Sequence, residues 1–204
     1  MSTVTAAVIA LALLAVFGLL GFAWRAWLQR RRTGSTGFRG MNGRTGSVEW
    51  VAGVGFVIAL IVAVAGPGLQ YCGIVRPLTD AQWILVAGIV VATCGIALTV
   101  WAQLDMGDSW RIGVDASETT ELVQSRVFGV VRNPIYTAML IFDFGIALLT
   151  SNFVTIAGLA LAIAALELQV RQVEEPYLSA KHGAAYRRYA ATVGRFIPGV
   201  GLIR

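Results

Sequence analysis

The chain has 204 residues, is 57% hydrophobic and only 13% charged, and has a mean hydropathy of +0.73. A water-soluble domain carries roughly a quarter charged residues, so an ordinary water-facing surface is excluded and lipid must be the solvent for much of the chain. The net charge of +5 does not point to nucleic acid, because the cations lie between apolar stretches, where anionic lipid is the natural partner.

The first apolar run, residues 4–24, is about 20 residues long, enough to cross a bilayer. Neither a basic leader nor a small-residue cleavage site frames it, so it reads as a retained span. Trp24-Arg25-Ala26-Trp27, followed by Arg30, Arg31 and Arg32, marks a membrane boundary, with indoles at headgroup level and guanidinium groups beyond. Residues 33–47, rich in Gly, Ser and Thr, form a loop. A second span is expected over 48–66, closed by Pro67-Gly68, and a third over 83–101 after a short loop. A polar connector, 102–133, carries five of the eleven acidic residues. Two further apolar runs, 134–150 and 152–166, are separated by almost nothing and predict a tight helical hairpin. Each arm has nearer 15 to 17 apolar residues than 20, so it spans only with polar flanks added. The expected fold is therefore all-α and polytopic, with about five transmembrane helices, a C-terminal hairpin and an amphipathic tail. Residues 1–101 hold three spans and a basic loop; residues 102–204 hold the connector, hairpin and tail.

Orientation follows from the cations. Residues 25–47 contribute six, 102–133 contribute Arg111, Arg126 and Arg132, and the tail from Arg171 contributes six more, whereas Arg76 alone lies on the other side. Fifteen against one places the N-terminus outside and the basic loops and tail in the cytosol, in a bacterial or archaeal cell membrane. Cys72 and Cys94 have neither metal-site nor CxxC spacing and are expected to stay unbridged, and no metal is expected. Gly18/Gly21 and Gly53/Gly55 lie within apolar spans, where helix packing explains them better than nucleotide binding.

Polar chemistry enters the membrane at a few points. Asn133-Pro134 is a helix start, with asparagine suited to the N-cap and proline to the first helical position. The free N–H groups there suit a carboxylate or phosphate. Arg132 beside it reads either as part of such a site or as a snorkelling interfacial cation. Glu167, Arg171, Glu174 and Glu175 fall on one face of a regular helix leaving the membrane, with Glu167 and Arg171 in the favourable i,i+4 order. Pro176 removes a backbone donor near Gln172 and should bend the helix. Asp143, two turns beyond Tyr136, lines a cavity or pairs with a neighbouring helix, and ionisable groups at such depth are functional candidates. After Gly183 an amphipathic segment carries Tyr186, Tyr189 and Val193 on one side, opposite Arg187 and Arg188, and is expected to rest on the membrane surface. His182, the single histidine, reads as solvated.

Val131-Arg132-Asn133-Pro134-Ile135-Tyr136 resembles the R-H-P-x-Y signature of the isoprenylcysteine carboxyl methyltransferase family. Glu174-Glu175-Pro176-Tyr177-Leu178, Gly183-Ala184-Ala185-Tyr186-Arg187-Arg188-Tyr189 and Val193-Gly194-Arg195-Phe196-Ile197-Pro198 follow in order and resemble its E-E-x-x-L, G-x-x-Y-x-x-Y and V-x-R-F-x-P blocks. Upstream, Leu122 to Phe128 resembles an L-V-x-x-G-P-Y approach, with Arg126 and Phe128 in place of Gly and Tyr. The likeness covers roughly residues 100 to 198, and Asn133 stands where the family often has histidine, which keeps hydrogen bonding but removes a titratable group. It implies a membrane methyltransferase using S-adenosylmethionine, with residues 102–204 as its core and no glycine-rich nucleotide fold. The cofactor is expected at the cytosolic mouth of the last two spans, held by Gln103, Val131, Arg132, Asn133, Pro134, Tyr136, Glu174 and Glu175, with Trp101 as a further wall. Arg171 and Glu167 are the expected catalytic pair, Arg171 positioning an anionic acceptor or steadying the glutamates. The acceptor is expected to be lipophilic, either a prenylated substrate or a small lipid, entering from the bilayer. Alternatives are an NADPH-dependent reductase, since sterol reductases share a related C-terminal layout, and a non-enzymatic membrane scaffold.

Overall fold

The computed structural model describes residues 1–37, 44–107, 110 and 122–203. The loop cations Arg39 and Arg111, the terminal Arg204 and the connector acids Asp108, Asp115, Glu118 and Glu121 lie outside the described residues. Among the described residues the main helices are α1 (Thr3–Thr33), α2 (Val48–Tyr71), α3 (Gln82–Asp105), α4 (Pro134–Thr150), α5 (Phe153–His182) and α6 (Ala184–Thr192). Four of these are long and apolar enough to cross a membrane; α4, with 17 residues, is the shorter fifth. Only 17% to 33% of the apolar window of each long helix is buried inside the protein, so most of those side chains face lipid, Ile61, Val64, Trp83 and Phe153 among them. The chain is an integral membrane protein.

Helix ends follow local chemistry. Ser2, Ser47 and Asn152 each accept a hydrogen bond from a first-turn backbone N–H, at Thr5, Trp50 and Thr155 respectively. Gly34, at φ +80°, closes α1 in the left-handed conformation that glycine adopts without strain. Four helices outrun their expected limits, α3 by one turn from Trp101 to Asp105. The second continues through Pro67, which is buried inside it, to Tyr71. It does so because Gln70 is buried one turn later, donating to the Thr3 carbonyl at 3.2 Å and accepting from Asn152 at 2.8 Å. That polar node ties α1, α2 and the α4–α5 turn together on what we call the hairpin side of the bundle. The first helix runs past Trp24 through a π-helical stretch, Leu19–Trp24, to Thr33. The fifth runs past Leu166 and Pro176 through a second π-helical stretch, Val170–Glu174.

Helix α3 packs along α4 and α2 packs along α5, while α1 lies against α2, α3 and α4. In lipid there is little hydrophobic drive between helices, so small residues that admit close backbone approach decide the pairing. A Cβ on Gly88 would lie 2.5 Å from the Leu149 nitrogen, and one on Gly95 2.5 Å from the Phe142 nitrogen; Gly145 abuts the Ala92 backbone still more tightly. Of the glycines singled out in the sequence, Gly55 meets the Ala165 methyl at 3.5 Å, but Gly18 touches nothing; the tight contacts are made by the α3 and α4 glycines and by Gly66 of α2, whose Cβ would lie 2.4 Å from the Thr155 methyl. Gly145→Val should cost about 3 kcal/mol, the upper end for overpacking, because backbone rather than a flexible side chain stands in the way. The check is the melting temperature of the detergent-purified protein, and an unchanged value would show that α3 and α4 separate freely. Phe17 of α1 stacks on Phe142 of α4 with ring centroids 4.2 Å apart, joining α1 to this pair. Cys72 and Cys94 are both free and exposed.

Candidate active site

The end of the bundle opposite the hairpin turn, the tail side, gathers most of the expected site residues. The segment after α6 returns to the start of α4. Val131 and Gly194 form a parallel bridge, the Arg132 amide donates to the Gly194 carbonyl at 2.7 Å, and the Asn133 amide donates to the Arg195 carbonyl at 3.1 Å. Thr137 adds a hydroxyl bond of 2.9 Å to the Phe196 carbonyl. Two blocks some sixty residues apart in sequence are thus one structural unit. Asn133 does occupy the N-cap position of α4, but its side chain does not cap the helix; its Nδ2 donates to the Arg195 carbonyl at 3.2 Å. The amide that would have capped the first turn is drawn off to the tail.

Arg132 is the centre of this unit. Its side chain is 2% exposed and donates to Glu175 Oε1 at 2.6 Å, to the Ala190 carbonyl at 3.1 Å, to the Gly201 carbonyl at 2.9 Å and to the Val193 carbonyl. Of the two readings open for it, lipid snorkelling is overturned, because the group is sealed inside protein. Glu175 also accepts from Arg195, at 2.8 Å from Nε and 2.9 Å from Nη2. This hydrogen-bonded carboxylate holds the Arg195 guanidinium above its ordinary pKa. The motif block Val193–Pro198 by itself assigns Arg195 no role; its signal is that a buried carboxylate flanked by one arginine requires more donors.

Glu174, one residue earlier, points elsewhere. It accepts the Tyr136 hydroxyl at 2.6 Å and the Gln169 amide at 3.4 Å, so α4 and α5 meet through a phenol–carboxylate bond. Tyr136–Glu174 and Arg132–Glu175–Arg195 are thus two polar clusters that meet through adjacent residues of α5. The four charged positions expected on one face of α5 are split. Arg171 is 55% exposed and paired to Glu167, Glu174 is half-buried and Glu175 is buried. The cause is the π-helical stretch Val170–Glu174, whose wider turn advances the phase and lets the helix continue into Pro176. Glu167 approaches Arg195 at 3.9 Å, so it borders the unit while Arg171 stays outside it.

Gln103 arrives from α3. The antiparallel register that sets Gly88 against Leu149 and Gly95 against Phe142 puts Gln103 level with Pro134. It is buried and donates to the Gly21 carbonyl, in the π-helical stretch of α1, at 2.8 Å, and its Oε1 has no partner among the described residues. Trp101 does not form a wall; it is 54% exposed on the lipid-facing side. The amphipathic α6 does not lie with its tyrosines in lipid either. Tyr186 and Tyr189 are buried against Leu122, Leu178, Val193 and Ile203, because each ring finds a protein partner, and the Tyr189 hydroxyl donates to the Phe128 carbonyl at 2.5 Å. Burial pushes both phenols up to about 12. An open cavity of about 350 Å³ beside α6, lined by Gln124, Ala185, Arg188, Tyr189, Thr192 and Val193, contains none of the expected site residues. In the approach segment Arg126 adopts φ +54°, a conformation suited to the family's glycine, and is held there by its 3.0 Å bond to Asp105.

The phospholipid methyltransferase family model matches residues 83–185, just over half of the chain and all of the α3–α5 unit that builds this site. The chain belongs to the phospholipid methyltransferase family. No curated protein sequence matches it. Among solved structures this family member is similar to the eukaryotic intramembrane Ras methyltransferase ICMT (isoprenylcysteine carboxyl methyltransferase), with a TM-score of 0.62 and 21% identity over 94% of this chain and 66% of that one. At that identity the likeness is one of fold, and this phospholipid methyltransferase family chain spans about two thirds of the solved chain's length.

Proposed function

We propose that this protein is an integral membrane methyltransferase that binds S-adenosylmethionine at the tail side of α4 and α5, and that this side faces the cytosol with the N-terminus outside. The observation that carries the reading is the Tyr136–Glu174 contact, which sets a carboxylate at the mouth of two spans directly above the sealed Arg132–Glu175–Arg195 cluster. The residues fit the donor's charges. The first turn of α4 has no side-chain cap, which leaves N–H groups for its carboxylate, and the buried Gln103 Oε1 is an acceptor in need of a donor. Glu174 suits its cationic or hydroxyl-bearing part. When bound, the donor supplies a methyl group already activated by positive sulfur.

The protein's own contribution is alignment in a dry pocket. Tyr136 and Glu174 border the donor; Val131, Asn133 and Pro134 shape its wall through the tail contacts; Arg132 and Glu175 hold the tail in place. Glu167 and Arg171, at the outer margin, position the acceptor. The acceptor is a lipophilic molecule that enters from the bilayer, a reading supported by a site at the membrane boundary and by the family.

Thermal unfolding of the detergent-purified protein tests this. S-adenosylhomocysteine at about 100 times its dissociation constant should stabilise by about 2.7 kcal/mol. Stabilisation by NADPH alone would replace this reading with a reductase, and no response to either would leave a scaffold.

A further inference from the structure

Helix α4 meets α5 at two levels and leaves an interval between them. On the hairpin side, Thr150 and Thr155 share a 2.9 Å hydroxyl contact; on the tail side, Tyr136 donates to Glu174 at 2.6 Å. Asp143 lies seven residues from each of these contacts, so all three positions share one helical face, about 10 Å apart along the axis. Its neighbours confirm the direction. Phe142 faces α3 and stacks on Phe17 of α1, Gly145 abuts Ala92 of α3, and Phe144 is 50% exposed on the lipid side. Asp143 therefore faces the α4–α5 interval at mid-depth, where it is neither buried nor fully exposed, and no described residue offers it a hydrogen bond or ion pair. By the register of these two contacts the opposing run of α5 is about residues 162–167, where Ala162, Ala164 and Ala165 are small side chains.

A carboxyl group at this depth without a protein partner is costly unless something that enters the bundle satisfies it. Resting on the function proposed above, we infer that Asp143 lines the acceptor's seat between α4 and α5 and recognises a hydrogen-bonding group on the acceptor's chain. That group lies about 10 Å from the methyl-accepting atom. A hydroxyl-bearing chain satisfies Asp143, whereas a plain isoprenoid or alkyl chain leaves it unpaired. Asp143 is thus a specificity-determining residue, placed below the donor-binding groups and apart from them.

The test compares two neutral long-chain alcohols, 1-octadecanol and 1,10-octadecanediol, as stabilisers of the full chain in detergent. The diol should reach half-maximal stabilisation at a roughly tenfold lower concentration than the mono-ol. Asp143→Leu should erase that preference, and Asp143→Asn, which keeps hydrogen bonding, should retain part of it. Equal effects of the two alcohols on the parent protein, including no effect, or an undiminished preference in Asp143→Leu, overturn the inference. The S-adenosylhomocysteine response of the same preparations separates the two readings: its absence sinks the donor site and leaves the alcohol comparison to decide this one.

Discussion

Glu174→Ala is expected to remove most of the stabilisation that S-adenosylhomocysteine gives to the purified protein. Glu174 is half-buried and accepts the Tyr136 phenol at 2.6 Å and the Gln169 amide at 3.4 Å, which fix its carboxylate at the junction of α4 and α5. A hydrogen bond from a bound cation or hydroxyl to such a charged group contributes about 1.5–3 kcal/mol. Losing it weakens binding by about 10- to 100-fold, enough to bring a shift of about 2.7 kcal/mol down to about 0.4–1.4 kcal/mol at the same ligand concentration. Tyr136→Phe distinguishes the carboxylate's own contact from its positioning, because it keeps the ring and removes only the hydroxyl that steadies Glu174. A full response in Glu174→Ala would mean that the donor binds elsewhere.

The largest loss of stability is expected from Arg132→Ala. The arginine is sealed and holds together Glu175 and three backbone carbonyls of the tail, so its removal strands the carbonyls and leaves Glu175 to Arg195. Breaking a buried pair by deleting one partner costs about 3–5 kcal/mol. The tail segment 193–203 should then become sensitive to protease and the melting temperature should fall. Arg132→Lys should recover little, since an ammonium lacks the planar fork that reaches these acceptors together. The paired change Arg132→Met with Glu175→Leu should not restore the stability, because Arg195 then loses the carboxylate to which it donates twice. If Arg132→Ala instead melts like the parent and loses only its ligand response, Arg132 touches the ligand and the tail is held by other contacts.

Several features were legible in the chain itself. Apolar runs near 20 residues and Trp–Arg flanks predict spans, because transfer to lipid depends on composition and length and hardly on partners. The start of α4 at Asn133-Pro134 and the order of the later motif blocks were equally readable. Helix ends were not, because Pro67 and Pro176 are usually breakers and only a buried Gln70 or a π-helical turn shows why the chain continues. The same π-helical turn explains why Glu174 and Glu175, adjacent in sequence, have different partners.

Hydrophobicity, charge asymmetry and motif order, which are local properties, determined that this protein crosses the membrane, about how often, and where its chemistry gathers. Tertiary structure alone decided which polar groups pair. The tail's return to α4 consumes Arg132, Glu175 and the Asn133 amide, while Glu174 turns to Tyr136 and Gln169. Those partners lie tens of residues away, and no local pattern can state which donor reaches an acceptor first.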